Sequence, residues 1–218
     1  ACAPFRRLHL CNKNMEKIAT SMTKHDLLAE VCYAAKFEGE SLKTYREQYD
    51  EQYPGSGSTF TMCTMLARSF ADIGDIVRGR DLYGGGNNKR RQQLDENLKT
   101  IFKNIYDKLL EENQTNGKTL QERYKKDEDK NFFKLREDWW TANRHTVWEA
   151  ITCSADKGNA YFRATCNSAD GKYQYQTQNQ CRCGDDKKPK SGKPGEVNIV
   201  PTYFDYVPQY LRWFEEWA

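Results

Sequence analysis

The sequence predicts a mainly α-helical, disulfide-stapled bundle with long irregular loops and little β structure. Three observations carry that prediction. Several long segments repeat apolar side chains every three to four positions, the period of a helix with one buried face. Eight cysteines stand at wide, irregular separations, a pattern of bridges in an oxidising compartment rather than of C-x2-C metal knuckles. Finally, 218 residues with 13% aromatics suffice to bury a core and are too aromatic for a disordered chain.

The first helix is read from Thr23, where TKHDLLAEVCYAAKFEGESLKTY places Leu27, Leu28, Val31, Ala34 and Ala35 on one face. Thr23 and Asp26 have the spacing of an N-cap and its N3 partner. The Pro54–Ser58 stretch breaks the pattern. A second helix is expected over 59–78, with Met62, Leu66, Phe70, Ile73 and Val77 as its stripe. Three consecutive glycines, Gly84 to Gly86, end that unit. The clearest helix, 89–112, carries Leu94, Leu98, Ile101, Ile105 and Leu109 and is on the order of 30 Å long. A polar turn follows. The next helical segment, 129–153, presents Phe132, Leu135, Trp139, Ala142, Thr146 and Ala150, widened by Phe133, Trp140, Val147 and Ile151. From Cys153 to Pro201 no period holds, and Gly184–Gly195 reads as a solvated loop tip. Helix resumes after Pro208, with Tyr210, Leu211, Phe214 and Trp217 as its packing residues.

Catalytic and metal-binding chemistry finds no support. No G-x-S-x-G, P-loop, H-E-x-x-H or dinucleotide fingerprint occurs. His9, His25 and His145 form no ligand pair, so no metal or cofactor is expected and the chain does not read as an enzyme. Asp72 and Asp75 read as solvated or salt-bridged surface carboxylates. No 18-residue apolar run exists and mean hydropathy is −0.95, so nothing here spans a bilayer. Any membrane attachment is expected from a transmembrane segment elsewhere in a full protein, since ACAPFRRLHL reads as mid-domain sequence.

Charge is the remaining signal. The net is only +3, but cations cluster at Lys89, Arg90 and Arg91, at Lys187, Lys188 and Lys190, at Arg6 and Arg7, and at Lys125 and Lys126. Such groups suit sulfated or phosphorylated polyanions. The bland alternative is a set of solvated side chains on loop tips. Nucleic acid is a poor fit as a partner, because an oxidising compartment is the wrong one for it and no recognition motif is visible.

Five segments together resemble one family: CAPFRRLHLCNKNMEKI, ARSFADIGDIVRGRDLYGG, REDWWTANRHTVWEAITC, YFRATC and PTYFDYVPQYLRWFEEWA. They look like a Duffy-binding-like domain. DIGDI (Asp72–Ile76) with PQYLRWF (Pro208–Phe214) resembles its alpha class, found at the head of the erythrocyte membrane protein adhesins of malaria parasites. The resemblance implies a helical fold in three subdomains. Residues 1–58 would be the latter part of the first and the entry helix of the bundle, and 59–218 the second, with the third absent.

It also implies cysteine pairing: Cys63 with Cys166, and Cys32 with Cys153 as a second bridge. Cys181 and Cys183 stay unassigned, and Cys166–Cys181 with Cys63–Cys183 is a rival. Cys2 and Cys11 would have partners upstream or pair with each other. The implied function is adhesion on the extracellular face of the infected erythrocyte, in rosetting or cytoadherence. Partners would be erythrocyte or endothelial receptors, heparan-sulfate-like glycans and host antibodies. Lys89, Arg90, Arg91, Lys187, Lys188 and Lys190 are the candidate ligand-binding residues. The competing reading is a structural spacer and antigenically variable shield, with receptor binding on neighbouring domains.

Overall fold

The computed structural model describes residues 2–54, 61–85, 89–112, 117–124, 131–156, 161, 163–167, 172–177, 179–183 and 199–217. Two single-turn helices, α1 (Phe5–Leu8) and α2 (Lys13–Glu16), precede the long α3 (Lys24–Gln52). The Thr23 side chain accepts from the Asp26 backbone N–H, and the Asp26 carboxylate accepts from the Thr23 N–H, so the expected capping box closes. The second long helix, α4 (Met62–Arg78), starts later than its apolar pattern suggests, because the Thr61 side chain caps it. It ends at Gly79, whose φ of 72° is the left-handed conformation that favours glycine. Helix α5 (Lys89–Glu112) matches its expected span and stripe. Helix α6 (Gly117–Tyr124) lies where the sequence suggested only polar turn and linker. After α7 (Phe133–Ile151) comes a two-stranded antiparallel ribbon. Its strands β1 (Cys166–Asn167) and β2 (Gln174–Tyr175) pair Cys166 with Tyr175 and Asn167 with Gln174. A 3-10 turn (Phe204–Tyr206) leads into α8 (Gln209–Trp217).

The core sits where α3, α4 and α7 meet, with α5 packed alongside. Two glycines permit the close approach. A Cβ at Gly39 would run into the Ile151 backbone, and one at Gly74 would lie 2.7 Å from the Trp140 ring. Phe70 fills the centre, its ring 5.1 Å from both Trp140 and Trp148.

The expected faces of α7 and α8 need correction. On α7, Ala142 is exposed and Phe133 is 44% exposed, while Arg136 and Arg144 are buried. The buried face is rotated because these two arginines bond inward: Arg136 to the carbonyls of Ile76 and Val77, Arg144 to Asp205. On α8 the expectation is inverted. Tyr210, Leu211, Phe214 and Trp217 face outward, and Gln209, Arg212 and Trp213 face inward. Trp217 is 61% exposed, and its Nε1 donates to the Cys2 carbonyl at 3.0 Å.

The disulfides also differ from both implied pairings. Cys63 bonds Cys181, and Cys166 bonds Cys183. Cys181 is placed beneath the core because Trp148 Nε1 donates to its carbonyl. Its φ of 57° turns the chain there, and Cys183 then meets strand β1. Cys32 and Cys153 are both unbridged, as are Cys2 and Cys11. Burial in the α3 helix face, with Glu149 nearby, pushes the Cys32 thiol up to about 11.

Candidate ligand-binding surface

The polar residues with most internal partners are those the sequence reading placed on the surface. Asp72 is fully buried on α4. It accepts from Arg6 at 2.7 Å, Arg212 at 2.8 Å, Gln209 at 3.1 Å and Trp213 at 3.3 Å. One turn on, Asp75 accepts from Arg212 at 2.6 Å and Arg78 at 2.8 Å. Burial alone would raise both carboxyls. At Asp72 the charges of Arg6 and Arg212 outweigh it and hold the group below the usual carboxylate range, whereas at Asp75 burial prevails and the shift is upward. Buried carboxylates are tolerated only when paired and hydrogen-bonded in this way. The spacing Asp72-x-x-Asp75-x-x-Arg78 on one helix was the available signal, since i,i+3 neighbours share a face.

The cluster extends through Asp205, which receives Arg144 at 2.7 and 2.9 Å and the Trp140 indole at 2.9 Å. Arg6 also forks onto Glu216 at 2.9 and 3.0 Å. Thus α1, α4, α7 and α8 are locked together by guanidinium–carboxylate contacts. Arg6 is a scaffold residue, and so is Arg7, which is buried against Asp81.

The remaining cations divide. Lys89 and Arg90 stand exposed in the first turn of α5. Arg91 is half-buried, its guanidinium stacked 3.4 Å from the centre of the Tyr83 ring. The loop lysines Lys187, Lys188 and Lys190 lie outside the described residues, as do Lys125 and Lys126. The described residues therefore place Lys89, Arg90 and Arg91 together on one end of α5.

Beside that end lies a cleft of about 290 Å³ between α1, the residue preceding α2, the C-terminus of α4 and the first turns of α5. Arg7, Asn12, Asp81, Arg91, Asp95 and Glu96 supply its polar lining, and Ile76, Leu94 and Leu98 its apolar floor. Arg7 lies over Tyr83 from 5.1 Å, so the ring carries two guanidinium groups.

A family model described as the Duffy binding domain matches residues 1–212. The chain belongs to the Duffy binding domain family. Among Duffy-binding structures, the NTS-DBL1(alpha-1) domain of Plasmodium falciparum membrane protein 1 (PfEMP1), varO strain, is 39% identical, with a TM-score of 0.69. That match covers 100% of this chain and 43% of the other. A DBLb domain of PfEMP1, described as bound to human ICAM-1, is 25% identical, with a TM-score of 0.62 over 97% of this chain and 38% of its own. The Duffy receptor beta form of Plasmodium knowlesi is 27% identical over 100% of this chain, which spans 14% of that protein. The Duffy receptor of Plasmodium vivax is 25% identical over 100% of this chain and 15% of its own length. The helical fold expected from sequence is the one these relatives share.

Proposed function

We propose that this Duffy-binding segment is an extracellular adhesion module of a parasite surface antigen. It engages sulfated glycosaminoglycans, blood-group sugars or receptor proteins on erythrocytes or endothelium, in rosetting or cytoadherence. The observation that carries this reading is the division of the cations. Arg6, Arg136, Arg144 and Arg212 are turned inward onto carboxylates and carbonyls, whereas Lys89 and Arg90 have exposed side chains in the first turn of α5. Relatives described as Duffy receptors or as bound to ICAM-1 support a receptor-binding role. The variable basic loop containing Lys187, Lys188 and Lys190 would extend the polyanion surface, and host antibodies would meet the same exposed residues.

Exposed charges are screened by salt, so retention on immobilised heparin should weaken steeply as ionic strength rises. Charge reversal at Lys89, Arg90 and Arg91 together with Lys187, Lys188 and Lys190 should abolish retention while leaving the far-UV circular dichroism spectrum unchanged. Unaltered retention would overturn the assignment of these residues. A saturable cell-binding isotherm for the isolated domain separates adhesion from the spacer role, which predicts none.

A further inference from the structure

The cleft beside α5 holds hydrogen-bonding capacity that the protein itself does not use. Asn12 is only 8% exposed and lines the cleft, yet its side-chain amide makes no bond to a described residue, not even as the cap of α2. The amide therefore opens to the cleft, with its donors and acceptor available there. Arg91 is held rigidly against Tyr83, and its one hydrogen bond among the described residues runs from Nη1 to the Tyr83 carbonyl at 3.3 Å. No other donor of Arg91 is bonded to a described residue.

Charge pairing narrows the ligand. The three lining carboxylates are all paired with cations: Asp81 with Arg7, Asp95 with Arg136, and Lys99 shared between Asp95 and Glu96. Arg91 has no carboxylate among the described residues. We propose that this cleft binds an acidic peptide segment of a partner protein, one carboxylate on Arg91 and the adjoining peptide group on Asn12.

A guanidinium edge matches a carboxylate in a bidentate fork, and a primary amide offers one donor and one acceptor site that complement a peptide group. Ile76, Leu94 and Leu98 give the side-chain methylenes an apolar floor. A densely sulfated chain fits less well, because among the described lining residues only one guanidinium, that of Arg91, has no carboxylate partner, enough for one anionic group and not for a run of them. A pyranose lacks its usual aromatic platform, since guanidinium groups of Arg7 and Arg91 lie over the Tyr83 ring.

This inference rests on the adhesion reading only for the expectation of a protein partner, and its test is separate from heparin retention. The ¹⁵N-labelled domain is titrated with N-acetyl-glutamate N-methylamide, its glutamine counterpart, methyl glucuronide and a heparin disaccharide. The glutamate probe should shift the side-chain signals of Asn12 and Arg91 saturably, and the glutamine probe should not. Asn12→Ala should weaken binding at least tenfold, Arg91→Gln should abolish it, and Arg91→Lys should recover part of it, all with an unchanged far-UV circular dichroism spectrum. Equal response to the glutamine probe would overturn the proposal. So would tighter binding of either saccharide, absence of any saturable shift, or undiminished binding by Asn12→Ala. A failed titration with intact heparin retention sinks the cleft alone, whereas lost retention with an intact titration sinks the polyanion surface alone.

Discussion

Asp72 shows how one side chain can organise a fold. Its carboxylate receives donors from α1 and α8, segments 66 and 140 residues away. Replacing one partner of a buried pair leaves the others uncompensated, at a cost of about 3–5 kcal/mol. Asp72→Asn should therefore lower the unfolding free energy by that amount, read as a lower urea midpoint at constant m. The pH sign follows from the depressed carboxyl. Its contribution is complete above the unfolded value of about 3.9 and is lost as pH falls through the lower folded value. Asp75 opposes this slope, because burial raises it. The wild-type midpoint should fall in that acid range, and the Asp72→Asn variant should lose the part of the slope that Asp72 supplies. The sequence displayed Asp72 and Asp75 plainly, but their burial depends on arginines far away in the chain, which no local pattern contains.

Among the elements, α3, α4, α5 and α7 were legible because apolar residues recur at the helical period. Helix α6 was hidden, since its eight residues hold one aliphatic side chain, Leu120, in a polar stretch. Helix α8 was legible in existence and wrong in orientation. Its outward side carries the larger apolar residues, and its inward side carries Arg212 and Gln209, which hydropathy alone places in water. Arg212 goes inward because its ion pairs with Asp72 and Asp75 offset desolvation. Trp213→Ala should then cost about 3–5 kcal/mol of stability, while Phe214→Ser, at a position 72% exposed, should stay within ±0.5 kcal/mol. Paired thermal melts of the two variants measure the difference, and a reversed order would contradict the orientation of α8.

For the molecule as a whole, the two bridges act on different scales. Cys63–Cys181 spans 118 positions and Cys166–Cys183 spans 17. Loop-closure entropy assigns about 4.7 kcal/mol to a 100-residue loop and about 3 kcal/mol to a 15-residue one. Replacing Cys63 and Cys181 by serine should therefore destabilise the domain more than replacing Cys166 and Cys183, as read by chemical denaturation. Under non-reducing conditions four thiols should titrate, and Cys2 and Cys153 should alkylate before the half-buried Cys32. The family resemblance pointed to the right fold yet implied other pairings; the left-handed turn at Cys181 sets which sulfurs meet here, and cysteine spacing carries no such information.

The meeting of α1 and α8 has a mechanical corollary. Arg6 grips Glu216, and Trp217 reaches the Cys2 carbonyl, so the first and last described turns are neighbours. Tension applied at residues 2 and 217 enters and leaves at nearly the same point. It would peel the α1–α8 contact and stretch the Arg6–Asp72–Arg212 junction, while α3, α5 and α7 lie off the force path. A domain wired this way would yield first at its seam, with its helical interior and the end of α5 that displays Lys89 and Arg90 still intact under load.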